Sequence, residues 1–160
     1  MNQGINSYLT FKLGPTTFGV HVGKVIEIQE YLAPKAVPDS LSYVTGVFEY
    51  REEVIPLIDT YAKFNIGTIE ITPQTCVVVL EILNETKNTT TKVGILVDTV
   101  ADVFEATADQ LKPIEDDYKP GYITATYKMG NSLIMMLNTN KVFSEKDITA
   151  LDQLIKDFSE

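Results

Sequence analysis

The sequence contains no tryptophan, one cysteine and one histidine among its 160 residues. A single cysteine excludes an internal disulfide, and the position of Cys76 in the apolar run CVVVLEIL predicts a buried structural thiol. His21 has no cysteine nearby and no HxxH or HxxE spacing, so no metal site is expected there. The P-loop, GxGxxG and GxSxG motifs are also absent. We therefore predict that the protein is not an enzyme and uses no cofactor.

Positive charge is scarce. The chain carries 13 Lys and Arg against 22 Asp and Glu, a formal charge of −9. Such an excess repels phosphate backbones and anionic lipid head groups, so nucleic acid is not an expected partner. The acidic group 115–117 lacks the spacing of an EF-hand loop and is interpreted as a solvated loop.

Long apolar runs are missing as well. No run approaches the ~20 residues that span a bilayer, and no basic and apolar leader opens the sequence. We expect a cytoplasmic protein with no direct membrane insertion.

Short alternating segments dominate the chain. Apolar residues alternate over 8–13 and 18–22, which predicts a β-hairpin whose core face comprises Leu9, Phe11, Leu13, Phe18, Val20 and Val22. Segment 23–31 fits either a helical turn or a strand. Further strands are predicted at 76–83, 122–127 and 132–137, and 84–92 is predicted to be a polar loop. Segments 92–97 and 100–106 are predicted to pair with each other around Asp98-Thr99.

The C-terminal segment has a helical pattern. Ser144 and Asp147 have capping-box spacing, and an apolar stripe follows at steps of three and four residues, which predicts an amphipathic helix at about 145–158. About nine short strands with little helix indicate an all-β fold, and this pattern is compatible with barrels and with sandwiches.

The most informative stretch is 46–64, GVFEYREEVIPLIDTYAKF. Two β-branched runs flank a charged centre, which predicts two strands and a tight connection. Pro56 lacks a ladder donor and is expected at an edge or a bulge, and Asp59 is a candidate helix cap. One arginine, Arg51, lies among three glutamates. Because exposed ion pairs contribute only ~0–1 kcal/mol, this arrangement is more typical of a recognition surface than of a stabilising one.

This stretch also resembles a known family. Gly46-Val47, Arg51, the run VIPLID at 54–59 and Phe64 are similar to the signature of CheW-like chemotaxis coupling proteins. Segment 8–28, YLTFKLGPTTFGVHVGKVIEI, resembles the family's opening strands and first helical turn, and 93–103, VGILVDTVADV, resembles its apolar strand and VD turn. The chain departs from the family where Asn-Leu-Arg-Gly is usual, since residues 49–52 read Glu-Tyr-Arg-Glu.

The resemblance implies a single domain over 1–160 that is all-β with a C-terminal helix. Two small five-stranded SH3-like barrels would pack side by side and share a core. The first barrel is expected mainly at 15–68 and the second mainly at 75–137.

The resemblance further implies a non-catalytic adaptor that couples the cytoplasmic tips of chemoreceptors to the regulatory domain of a CheA-type histidine kinase, in membrane-associated receptor arrays. Two alternatives remain: a coupling protein of another chemosensory pathway, driving pili or second-messenger output, and a small-ligand sensor with a pocket between the barrels.

The binding residues that the resemblance implies are Val25, Glu27 and Ile28 in a first helical turn, Gly46 and Arg51 in the central hairpin, and Gly94 and Val103 in the second barrel. Glu27 is expected to pair with Arg51. Val25, Ile28 and Val103 are expected at the apolar base of a groove between the barrels. The two glycines are expected to permit close backbone approach.

Overall fold

The computed structural model describes residues 4–38, 40–114 and 121–159. The acidic group 115–117 lies outside these residues. Within the described part, eleven strands and two α-helices form, and none of its helices is long and apolar enough to cross a membrane.

Two antiparallel-rich sheets make up the fold. Sheet A has the strand order β8-β1-β2-β11-β10-β9, and sheet B has the order β3-β6-β7-β5-β4. The strands of sheet A are β1 (Asn6–Leu13), β2 (Thr16–His21), β8 (Thr99–Ala106), β9 (Lys112–Pro113), β10 (Ile123–Met129) and β11 (Ser132–Leu137). Those of sheet B are β3 (Val25–Glu30), β4 (Val44–Tyr50), β5 (Glu53–Ile58), β6 (Cys76–Asn84) and β7 (Thr89–Val97). The helices are α1 (Thr60–Lys63) and α2 (Glu145–Phe158).

Three apolar clusters show how the sheets pack. Sheet A encloses its own cluster with Tyr8 and Phe104, and sheet B encloses another with Tyr50 and Leu57. A larger cluster, which we call the shared core, combines both sheets with α2; it includes Leu9, Phe11, Val20, Val78, Leu80, Ile95, Ile148 and Leu151. Because neighbouring residues of a strand point to opposite faces, β1 contributes Tyr8 to one cluster and Leu9 to another. The predicted mostly-β fold of two SH3-like halves with a C-terminal helix is confirmed, with a short sixth strand, β9, in sheet A.

The stretches of chain that form each sheet differ from the expected ones. Sheet B is continuous from Val25 to Val97, whereas sheet A combines 6–21 with strands between Thr99 and Leu137. The expected barrel ranges, 15–68 and 75–137, therefore do not coincide with the two sheets. The predicted pairing of 92–97 with 100–106 is wrong, because β7 pairs with β6 and β5 while β8 pairs with β1.

Asp98 explains why the chain changes sheets instead of turning back. Its backbone N–H donates to the Lys12 carbonyl of β1, 2.9 Å away. Its carboxylate accepts the N–H of Gly14 at 2.6 Å and the hydroxyl of Tyr61 on α1. Asp98 thus joins the β1–β2 turn of sheet A to the α1 side of sheet B at the point where the chain crosses.

Local structure in the first half differs from two sequence expectations. The ambiguous segment 23–31 is mainly strand, since a 3-10 turn at Val22–Lys24 leads directly into β3. Val25, Glu27 and Ile28 therefore lie on a strand, and the expected helical turn is wrong for them. Val22, predicted on the core face, is exposed because it belongs to the turn.

Three further positions differ from expectation. The predicted polar loop is largely strand, because β7 begins at Thr89 and the Thr91 hydroxyl donates to Asp152 of α2 at 2.7 Å. Pro56 lies on an internal strand, opposite Val47 of β4, and the pairing of β5 with β7 starts at Leu57. The backbone N–H and carbonyl of Val47 both bond to Lys35, so the missing donor of Pro56 breaks no hydrogen bond to β4. Cys76 is half-buried at the start of β6 rather than buried.

Helix α2 begins and docks as its sequence predicts. Ser144 and Asp147 form the capping box, and Ile148 and Leu151 enter the shared core. The Tyr43 hydroxyl donates to Asp147 at 2.7 Å. Although burial opposes its ionisation, hydrogen bonds from Tyr43 and Ser144 hold the pKa of Asp147 below its usual value. One carboxylate therefore both caps the helix and attaches it to the loop before β4.

Candidate functional site: the β4–β5 hairpin tip and the edges of the sheet junction

The β4–β5 hairpin ends in a two-residue turn made of Arg51 and Glu52. Their φ angles are 51° and 70°, so both residues adopt the left-handed conformation of a type I′ turn. This turn matches the twist of the flanking strands, although each non-glycine residue there costs on the order of 1 kcal/mol. The predicted tight connection is confirmed, and it forms without a glycine.

Three side chains converge beside this turn, and we call them the Arg51 cluster: Glu27, Tyr50 and Arg51. The Arg51 Nη2 donates to Glu27 Oε1 at 2.9 Å, so the expected ion pair is confirmed. The Tyr50 hydroxyl donates to the same oxygen at 2.7 Å. The guanidinium carbon lies 5.0 Å from the centre of the Tyr50 ring. Arg51 is the only arginine in the sequence, and its side chain is 70% exposed.

Tyr50 was not identified from the sequence. The sequence feature that could have indicated it is a side chain with an apolar ring and a polar hydroxyl, placed on a strand directly before the arginine. The ring is buried in the cluster of sheet B, and this burial, with the hydrogen bond to Glu27, raises the pKa of Tyr50 above its usual value. The protonated hydroxyl is the donor in the hydrogen bond to Glu27.

The other charges of the hairpin are arranged around this cluster. Glu53 forms an ion pair with Lys92 of β7 at 2.8 Å. Glu49 and Glu52 are exposed, and neither forms an ion pair within the described part of the chain. The hairpin tip thus presents one oriented cation, Arg51, with acidic side chains around it.

The two glycines of the expected site are buried within sheet B. Lys35 and Val47 exchange backbone hydrogen bonds at 2.8 and 2.9 Å, and a Cβ on Gly46 would overlap the Lys35 carbonyl oxygen. A Cβ on Gly94 would lie 2.8 Å from Val77 Cγ1 and 2.9 Å from the Phe48 ring. In both cases the atoms that approach the glycine closely belong to this chain and not to a partner.

Val25, Ile28 and Val103 lie on the outermost strands, β3 of sheet B and β8 of sheet A. Their cross-strand neighbours are Leu80, Val78 and Leu9, all members of the shared core. Since directly opposed residues of an antiparallel pair share a face, all three residues point to the junction side of their sheets. Ile28 is 40% exposed and Val103 is 57% exposed, so they extend the apolar junction to the surface.

Glu27 faces the other way. It pairs with Val79, which belongs to the cluster of sheet B. Strand β3 therefore carries Val25 and Ile28 on its junction side and Glu27, a member of the Arg51 cluster, on the other. We call the apolar positions on the two edge strands, Val25, Ile28 and Val103, the junction edge.

Other chemistry has little support in the described residues. Across 4–38, 40–114 and 121–159 no three Cys, His, Asp or Glu side chains are grouped to hold a metal. The His21 Nδ1 accepts the N–H of Gly23 at 2.8 Å and so caps the 3-10 turn.

A cavity at the junction, lined by Ile58, Leu80 and Leu137 among others, has a volume of only about 10 Å³. That is near the space of one water, so it does not serve the small-ligand alternative.

The chain is similar to known chemotaxis proteins. The family model described as CheW-like domain matches residues 7–147. The chain is 27% identical to the chemotaxis protein CheW of Klebsiella aerogenes, over 93% of this chain and 88% of the relative. It is 26% identical to the probable chemotaxis protein CheW of Rhizobium etli, over 94% and 95% of the two chains.

A solved structure supports the fold. The scaffolding protein TtCheW from Thermoanaerobacter tengcongensis superposes with a TM-score of 0.75 at 20% identity, covering 88% of this chain and 89% of the other. The family match spans both sheets and extends to the first turn of α2. The chain therefore belongs to the CheW-like domain family.

Proposed function

We propose that this chemotaxis coupling protein is a non-catalytic adaptor, which bridges the cytoplasmic tip of a chemoreceptor and the regulatory domain of a CheA-type histidine kinase. It would act in the cytoplasm, within arrays of membrane-bound receptors. The observation that carries the proposal is the Arg51 cluster: the single arginine of an acidic protein is exposed at a hairpin tip and held in one direction by Glu27 and Tyr50. An oriented guanidinium provides recognition through directed hydrogen bonds, not a reaction centre.

The junction edge is proposed as a second contact surface. Val25, Ile28 and Val103 offer apolar side chains on the junction side of two edge strands. An amphipathic helix that docks into an apolar groove uses a few such anchors at helical spacing. The helical tip of a receptor fits this description, and the Arg51 cluster on the opposite face of β3 would remain free for another contact.

Arg51→Ala is expected to weaken binding to a receptor signalling fragment or to the kinase regulatory domain by about tenfold or more, the range of an interface hot spot. The melting temperature should hardly change, because an exposed ion pair contributes only ~0–1 kcal/mol. Titration calorimetry with each purified partner, alongside a melting curve, provides the measurement. Lys87→Ala, which removes a cation from the exposed β6–β7 turn, is the matched control. Unchanged affinity for both partners would remove Arg51 from the proposed interface.

Val103→Asp is expected to abolish binding of the receptor fragment while the protein stays folded. The side chain is exposed, so the new carboxylate remains solvated in the free protein but would be buried without a partner in the complex. Leu133→Asp is the control, because Leu133 is 53% exposed on β11 of the same sheet. Co-sedimentation with the receptor fragment and circular dichroism test both variants. Receptor binding by a folded Val103→Asp protein at normal affinity would exclude the junction edge.

A further inference from the structure

The geometry around the hairpin tip assigns a role to Tyr50. We propose that Tyr50 is a positioning residue: it holds Glu27, and through Glu27 and its own ring it holds the Arg51 guanidinium in one orientation before a partner binds. This inference rests on the proposed function of Arg51 as a contact residue.

Tyr50 can hold its neighbours because it is itself fixed. Its side chain is 5% exposed and packs in the cluster of sheet B with Ile55, Leu57 and Val79. Its hydroxyl donates to the partly exposed Glu27 at 2.7 Å. A buried ring that ends in a hydrogen-bonding group is a rigid support for an exposed side chain.

The ion pair alone is a poor means of orienting Arg51. Both partners have long side chains, and the Glu27 side chain is 39% exposed while that of Arg51 is 70% exposed. Exposed pairs of this kind are weakly held in water. The Tyr50 hydroxyl and Arg51 Nη2 donate to the same Oε1 atom, so the tyrosine restricts the carboxylate that receives the arginine.

The ring adds an independent constraint. The guanidinium carbon lies 5.0 Å from the ring centre, within the range of a cation–π contact. Because Nη2 is the atom that donates to Glu27, the other guanidinium donors are available to an acceptor on a partner. A side chain ordered before binding loses less conformational entropy in the complex, which improves affinity without adding a contact.

Tyr50→Phe tests the role, since it removes the hydroxyl and keeps the ring. Arg51 is the only arginine, so the free protein gives one Nε–Hε signal in an NMR spectrum of arginine-labelled material. We expect this signal to report a more mobile side chain in Tyr50→Phe. Binding to the partner that Arg51→Ala affects should weaken about threefold to tenfold, the range expected for ordering one long side chain. Tyr31→Phe, a half-buried tyrosine against the same cluster, is the control.

The Arg51→Ala background separates the possible outcomes. If Tyr50 acts through Arg51, Tyr50→Phe causes no further loss of binding in that background. An equal loss in both backgrounds would overturn the proposal, as would unchanged Arg51 mobility and unchanged affinity in Tyr50→Phe. If Tyr50→Phe loosens Arg51 but Arg51→Ala binds both partners normally, the positioning role is supported and the proposed function of Arg51 is refuted.

Discussion

Leu151→Ala is expected to lower the free energy of unfolding by about 2–5 kcal/mol, the usual cost of emptying a fully buried leucine site. Leu151 is 0% exposed and lies in the shared core, and α2 packs on β5 and β7 of sheet B. At roughly 2–4 °C per kcal/mol for a chain of this size, the melting temperature should fall by about 4–20 °C. Chemical denaturation and a thermal melt provide the measurement.

Leu154→Ala is the matched control, because it makes the same chemical change one turn later at a half-buried position. Helix propensity changes equally in both variants, so the difference between them reports burial alone. The comparison also tests whether α2 is integral to the fold, since most of this helix lies beyond residue 147, where the family match ends. Similar small losses in both variants would show that α2 is a peripheral addition.

Gly46→Ala is expected to destabilise the protein by about 2–5 kcal/mol, through overpacking and the loss of backbone hydrogen bonds. The added Cβ would overlap the Lys35 carbonyl oxygen, and the backbone fixes the positions of both atoms, so neither can move aside by a side-chain rotation. Lys35 and Val47 would have to separate, which breaks the two hydrogen bonds between them. We therefore expect partner binding to fall only in proportion to the loss of folded protein.

Gly121→Ala is the control for this experiment, because a Cβ at Gly121 meets no atom within 4 Å among the residues that the structure describes. Its stability should stay within about 0.5 kcal/mol of the original protein, as for most surface substitutions. A Gly46→Ala protein with an unchanged melting curve and lost binding would contradict the structural role. Gly46 would then be a contact residue for the partner, as the family resemblance implies.

Much of the local structure could be predicted from neighbouring residues. Alternation identified β1, β2 and the core faces of Leu9, Phe11 and Val20, and cap spacing located the start of α2. Asp59 caps α1 as expected, accepting the N–H groups of Tyr61 and Ala62. These features depend on contacts within one turn or one strand, so a short stretch of sequence contains their physical cause.

The candidate site was predictable only in part. Family resemblance indicated the Glu27–Arg51 pair, which the structure contains. The role of Tyr50 depends on a hydrogen bond across 23 positions of sequence, and the demand for glycine at residue 46 comes from Lys35 on a separate segment. Neither the hydrogen bond nor the close approach produces a repeating pattern in the sequence.

The sequence by itself determined most of the strands, the C-terminal helix, the apolar faces of the first hairpin, and an acidic composition with one arginine at a hairpin tip. It left segment 23–31 open and did not show that β7 begins at Thr89. Only the tertiary structure decided which sheet each strand joins. Segments 92–97 and 100–106 have the pattern of a hairpin, yet Asp98 directs them into different sheets. Alternation specifies the face that a strand buries but not its neighbour, because strand partners are selected by packing and hydrogen bonding between distant segments.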